Sequence, residues 1–135
     1  MDSKTKGERS EAKVLARLVE LGYTVLTPFG ENCSYDFIVD DGKVLSRVQV
    51  KTGRLREGKV IAGLSRTRFN AGGSKREGYP EGSIDAFVIY CHENESAFWV
   101  DPEDTGETQI HLRIEPPVDT HLTNKAINWA DDYRL

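Results

Sequence analysis

Glu11, Asp36, Gln49 and Lys51 are the residues of this chain whose types and spacing could do chemistry. Two carboxylates and a carboxamide offer the hard oxygen donors that suit Mg²⁺. An ammonium two residues past the amide could stabilise negative charge as it develops on a reacting group. The chemistry such a set fits is hydrolysis of a phosphate ester, with a cation neutralising the phosphate and lowering the pKa of the attacking water. It requires the four side chains to converge from different elements, so those elements decide the matter.

Residues 8–21 read as a helix, with Val14, Leu15, Leu18 and Val19 at helical spacing and Gly22 as its stop. Glu11 lies three, four and seven residues before Val14, Leu15 and Leu18, on the apolar stripe, while Lys13, Arg17 and Glu20 take the solvent side. A carboxylate on a packing face costs several kcal/mol unless a cation or a lysine pairs with it. Residues 23–27 read as a short strand ended by Pro28. Residues 35–40 and 43–51 read as two strands joined by Asp41-Gly42, a strong hairpin signal. A two-residue turn there sets Asp40 opposite Lys43, Asp36 opposite Arg47 and Gln49 opposite Ser34. Alternation then sends Asp36, Gln49 and Lys51 to one face, and Phe37, Val39, Val44, Val48 and Val50 to the other. A one-residue slip would undo that separation.

Further along, 59–64 reads as another hairpin strand and 65–83, rich in Gly, Arg and Lys, as a long irregular loop, a feature that in a compact domain is usually functional or disordered. Residues 85–90 form an apolar run suited to a buried central strand. Residues 97–100 and 109–114 read as strands, and 123–133 as a closing helix. At 135 residues the chain is expected to be one domain, 1–135, with a real core. Neither a membrane-spanning stretch nor an N-terminal apolar leader is visible. Cys33 and Cys91 lack metal-ligand spacing and read as small buried hydrophobes in a reduced, cytoplasmic protein. His92, His111 and His121 form no motif and read as surface or strand residues.

The net charge is −4, but its distribution is uneven. Residues 47–76 hold nine basic residues, Arg47, Lys51, Arg54, Arg56, Lys59, Arg66, Arg68, Lys75 and Arg76, against Glu57 alone. The flanking segments are acidic. A basic block within an acidic chain suits a phosphate-binding surface in a protein kept soluble elsewhere.

In Gly7-Glu8-Arg9-Ser10-Glu11, Ser34-Tyr35-Asp36-Phe37 and Val48-Gln49-Val50-Lys51-Thr52 the chain resembles the PD-(D/E)XK nucleases. Its Gly-x-x-x-Glu opening is similar to archaeal Holliday junction resolvases. Gln49 in place of the usual acid, with Phe29-Gly30-Glu31-Asn32 and Thr52-Gly53-Arg54, is closer to the group I intron-associated homing endonucleases. Tyr35 stands where the usual proline would. The resemblance implies an α/β restriction-endonuclease-like fold with an αβββαβ core and a central mixed sheet. It implies Mg²⁺-dependent cleavage of DNA, with Mn²⁺ as a substitute. The metal would be held by Glu11, Asp36, Gln49 and the Val50 carbonyl, beside Lys51. DNA contacts would come from Arg47, Arg54, Arg56, Lys59, Arg66, Arg68, Lys75 and Arg76. Alternatives are a structure-selective resolvase and a DNA-binding module without catalysis. Cutting two strands calls for a homodimer or homotetramer, for which Phe98, Trp99, Ile127 and Trp129 are the expected apolar contacts.

Overall fold

The structure is a computed structural model that describes residues 1–30, 32–70, 73–116 and 127–135, with the backbone alone for 66–70 and 73–77. Helix α1 (Ser3–Glu20) begins five residues earlier than the apolar periodicity indicates. Asp2 caps it, its Oδ1 accepting the Thr5 amide at 2.8 Å. The chain leaves the helix through Gly22 at φ +94°, a conformation that side chains rarely adopt. The helix buries Ser10, Val14 and Leu18, one residue per turn, whereas Leu15 and Val19 are 36% and 55% exposed. The expected four-residue apolar stripe is therefore narrower, and a serine occupies one of its core positions.

Nine strands follow among the described residues: β1 (Thr24–Leu26), β2 (Phe37–Asp40), β3 (Leu45–Arg56), β4 (Lys59–Gly63), β5 (Arg66–Asn70), β6 (Gly73–Glu77), β7 (Ala86–Cys91), β8 (Ser96–Val100) and β9 (Gln109–Arg113). Seven form one mixed sheet, and β5 and β6 form a separate two-stranded ribbon. The long strand β3 organises the sheet. It pairs antiparallel with β2 through Leu45–Val48, parallel with β7 through Val48–Gly53, and antiparallel with β4 through Arg54–Arg56. One face carries Val48, Val50, Ala86 and Val88 under Val14 and Leu18 of the helix. The other packs Phe87, Ile89 and Phe98 with Val60, Ile110 and Leu112.

The hairpin register differs from the expected one by two residues. Asp40 lies opposite Leu45 and Phe37 opposite Val48. Asp40 Oδ1 accepts the Gly42 amide, and Asp41 Oδ1 accepts those of Lys43 and Val44, each at 2.8 Å, so the two aspartates close a wider loop than a two-residue turn. An even shift leaves every strand side chain on its expected face. Only Val44 drops out of the apolar face, being 59% exposed in the loop.

Four other expectations change. Residues 65–83 are not irregular throughout, since β5 and β6 pair from Arg66 opposite Glu77 to Asn70 opposite Gly73. Apart from Phe69, the residues on both faces of that ribbon are polar or glycine in sequence, which hides the alternation that marks a half-buried strand. Of the closing helix, 123–126 lie outside the described residues. The part from 127 runs through a bridge between Trp129 and Arg113 and a single 3₁₀ turn at Ala130–Asp132. Between β3 and β7, where an αβββαβ core places its second helix, the described residues hold β4, β5 and β6. Cys91 is buried as expected, but Cys33 is exposed.

Gly53 marks where β3 is pressed most tightly between its neighbours. A Cβ there would lie 2.6 Å from Val60 Cγ1 and 2.9 Å from Ile89 Cγ2, two buried β-branched side chains. Gly53→Ala is expected to destabilise the fold by roughly 1–3 kcal/mol through overpacking. Urea denaturation checks it, and an unchanged midpoint would show that the sheet can widen there at no cost.

Candidate active site

Backbone amides along β3 alternate between its two edges. The Arg47 and Leu55 amides bond Asp85 Oδ2 and Glu93 Oε2, residues flanking β7, so odd-numbered amides face β7. Even-numbered ones face the β2 side, where pairing with β2 stops at Val48 and pairing with β4 starts only at Arg54. Between them lies a gap in the sheet edge. The Asp36 carboxylate stands in it: Asp36 N donates to Val48 O at 2.8 Å, and Asp36 Oδ2 accepts the Val50 amide at 2.8 Å. Since N–H and C=O of one strand residue share an edge, the Val50 carbonyl also faces this gap.

Standing in the edge of the sheet, Asp36 can be reached from both faces. Glu11 meets it from the helix side and hydrogen-bonds its carboxylate. Burial, that hydrogen bond and repulsion from Asp36 and Glu8 push the Glu11 carboxyl up to about 7. A carboxyl whose pKa is raised by burial and a neighbouring carboxylate is one that a bound cation would return to its ionised form. Lys51 approaches from the opposite face. Its Nζ donates to Ser65 O at 3.2 Å and lies 4.9 Å from the centre of the Tyr79 ring. Burial lowers the Lys51 pKa, and the negative charge of Asp36 partly offsets that. Gln49 precedes Lys51 on the same face, partly buried, with no side-chain hydrogen bond among the described residues. Its carbonyl oxygen is left available as a donor.

No third His, Cys, Asp or Glu joins the two carboxylates among the described residues. The oxygens here that could hold a metal are those of Glu11 and Asp36, the Gln49 side-chain carbonyl and the Val50 carbonyl, all hard donors. That set fits a divalent cation such as Mg²⁺ that keeps several waters.

Sequence reasoning missed the fastening beside these residues. Ser10 is 1% exposed, and its Oγ lies 3.0 Å from Lys6 O, 2.6 Å from Thr52 Oγ1 and 2.9 Å from His92 Nε2. With its one proton on Lys6 O, the hydroxyl accepts from Thr52 and from the Nε2–H tautomer of His92. This ties the residue before Glu11 to the residue after Lys51. The signal available was a small polar residue four before Val14 and eight before Leu18, at a core position of the stripe. Ser65 and Tyr79, which hold Lys51, carried no sequence signal.

The expected DNA contacts divide. Arg47 is engaged by Asp85 in a paired contact, Nε to Oδ2 at 3.1 Å and Nη2 to Oδ1 at 3.2 Å, and is less free for a phosphate. Arg54 and Arg56 are exposed and Lys59 is half-buried. The side chains of Arg66, Arg68, Lys75 and Arg76 lie outside the described residues, although the backbone sets Arg68 opposite Lys75 on the ribbon.

An acid on the first helix, an acid in a sheet gap and a lysine two residues past an amide on the central strand are what a PD-(D/E)XK site contains. The chain belongs to that family: the PD-(D/E)XK endonuclease model matches residues 1–135. Among solved structures it is similar to the bacterial homing endonuclease I-Ssp6803I, at 27% identity and a TM-score of 0.75, covering 99% of this chain and 89% of that one. The fold is thus restriction-endonuclease-like. No curated protein matches the sequence.

Glu11 binds a proton in the folded state over a pH range in which it is ionised when unfolded. Stability from this group is therefore present at low pH and lost as pH rises from about 4.5 toward about 7. A cation displaces that proton, so Mg²⁺ should raise the melting temperature more at pH 8 than at pH 6. Glu11→Gln should flatten both the pH slope and the Mg²⁺ shift. Equal Mg²⁺ shifts at the two pH values in the wild-type protein would count against this site.

Proposed function

We propose that this member of the nuclease family is a Mg²⁺-dependent DNA endonuclease of the homing type. The observation that carries the reading is the Asp36 carboxylate in the sheet gap, hydrogen-bonded to Glu11 and facing Lys51. The likeness to a homing endonuclease over nearly the whole chain supports the specific type.

Glu11, Asp36, the Gln49 carbonyl oxygen and the Val50 carbonyl would hold the cation. When bound, it supplies positive charge against the scissile phosphate and lowers the pKa of water. Lys51, whose ammonium is kept in place by Ser65 and Tyr79, orients the attacking water and stabilises charge on the pentavalent phosphorane. Gln49 brings no charge where the family's pattern has a carboxylate. The site therefore has one fewer negative charge and binds the cation more weakly, and Mn²⁺ is expected to substitute. No helix among the described residues is long and apolar enough to cross a membrane.

Lys51→Ala is expected to lower cleavage by roughly 10²–10³-fold while leaving folding and DNA binding nearly intact. Gln49→Ala should raise the Mg²⁺ concentration needed, and Gln49→Glu should keep activity. The assay is Mg²⁺-dependent cutting of duplex, nicked, flap, single-stranded and four-way DNA. Wild-type rates in Lys51→Ala would remove the assignment. Cutting confined to four-way DNA would make the protein a resolvase, and binding without cutting an inactive module.

The working unit in this reading is a symmetric homodimer or homotetramer, because two strands need two sites. Of the four apolar contacts expected from sequence, Phe98 is taken up by the core, whereas Trp99, Ile127 and Trp129 are half-buried. Trp99 packs one side against the helix-side core. Light scattering at micromolar concentration should give at least twice 15.2 kDa. A monomer that stays single on DNA would leave nicking as the activity.

A further inference from the structure

The extension of the sheet beyond the active site carries a row of like charges that folding alone does not explain. Arg56 lies opposite Lys59, and Lys59 lies opposite Arg113 on the next strand. One row nearer the site, Arg54 lies opposite Ile61, and Ile61 opposite His111. Partners across a sheet share a face, so all five polar residues project to one side, while Leu55, Val60 and Leu112 project to the other. Arg54, Arg56 and His111 are exposed, and Lys59 and Arg113 are half-buried. Burial and the charges of Lys59, Arg113 and Arg54 all depress the His111 pKa, an independent sign that the cations crowd together. Among the described residues none of the four cations makes an ion pair, although Glu57 lies in the β3–β4 turn and Glu115, just after β9, packs beside that turn's Gly58.

Like charges directly opposite one another destabilise a sheet, so this face is best satisfied by an anion from outside. Along β3 the rise is about 3.3 Å per residue, placing Arg54 roughly 10 Å and Arg56 roughly 17 Å further along the strand than Lys51, on the opposite, helix-side face. At 3.4 Å of axis per nucleotide, that reach spans about five nucleotides of one strand. The face continues the side of β3 on which Thr52 meets Ser10 of the helix.

We propose that Arg54, Arg56, Lys59 and Arg113, with His111, form a track for the DNA phosphate backbone leading away from the cleavage site. Arg113 and His111 lie in the acidic C-terminal half, outside the basic block of residues 47–76, and join it only through the pairing of β4 with β9. The inference rests on DNA being the substrate but not on catalysis.

The test is binding of a 30-base-pair duplex in EDTA, followed by fluorescence anisotropy over a KCl series. Arg54→Gln/Arg56→Gln/Arg113→Gln should reduce the slope of log K against log salt by about 2.7, at 0.9 per lost phosphate contact. Its melting temperature should equal or exceed that of the wild type, because mutual repulsion has been removed. A reduced slope together with an uncleaved substrate in Mg²⁺ would uphold the track while sinking the nuclease reading. An unchanged slope in a folded variant, with the wild type both binding and cutting, would overturn the track alone. An unchanged slope with a smaller assembly by light scattering would also overturn it, and would give the face to a second copy of the chain. Absence of any DNA binding by the wild type would overturn both.

Discussion

A single hydrogen bond, from the Val50 amide to Asp36 Oδ2, joins the architecture of this protein to its site. Strand β3 exchanges one neighbour for another along a single edge, and between them its amides and carbonyls lack a strand partner. A buried amide without an acceptor costs about 1–3 kcal/mol. A carboxylate satisfies it and remains negatively charged at the edge of the sheet. From there it can be approached by the helix on one face and by Lys51 on the other. Had β2 continued alongside β3, Asp36 would be one more outward side chain and Glu11 would have nothing to meet.

The surrounding polar groups follow from that gap. Ser10 takes a core position on α1 because its hydroxyl links Thr52 and His92, fixing the helix to β3 at the turn that presents Glu11. Lys51 is largely desolvated, and an isolated buried ammonium is costly. The Ser65 carbonyl and the Tyr79 ring lessen that cost from a loop distant in sequence. Burial and the neighbouring Asp36 let Glu11 hold its proton up to about pH 7. Repulsion stored in the carboxylate pair is what a divalent ion would relieve. The cationic face formed by β3, β4 and β9 obeys the same logic on a larger scale, its like charges awaiting an opposite one.

Much of this arrangement was legible in the chain itself. The alternation in Asp36-Phe37-Ile38-Val39 and Val48-Gln49-Val50-Lys51 assigns the polar and apolar faces regardless of where the turn closes, because an even change of register preserves parity. The motif spacing of Glu11, Asp36, Gln49 and Lys51 indicates the family, and the apolar run before Cys91 indicates the central strand β7, every residue of which is buried. These are properties of local pattern, read without knowing what lies across the fold.

Other features arise only from contacts between distant segments. The turn width depended on Asp40 and Asp41 bonding amides that a tighter turn would have used differently. Arg47 faces a possible phosphate in sequence and Asp85 in the structure, 38 residues away. Ser65, Tyr79 and His92 carry no local mark of their roles, since each acts on a residue brought to it by sheet pairing or helix docking. Arg113 joins the cations of β3 and β4 only because β9 pairs with β4. The residue types and their strand faces were thus set by the sequence, whose periodicity is a local property. Which carboxylate occupies the gap, what steadies the lysine and where the charges gather were decided by the tertiary structure, because each depends on which strands end beside one another.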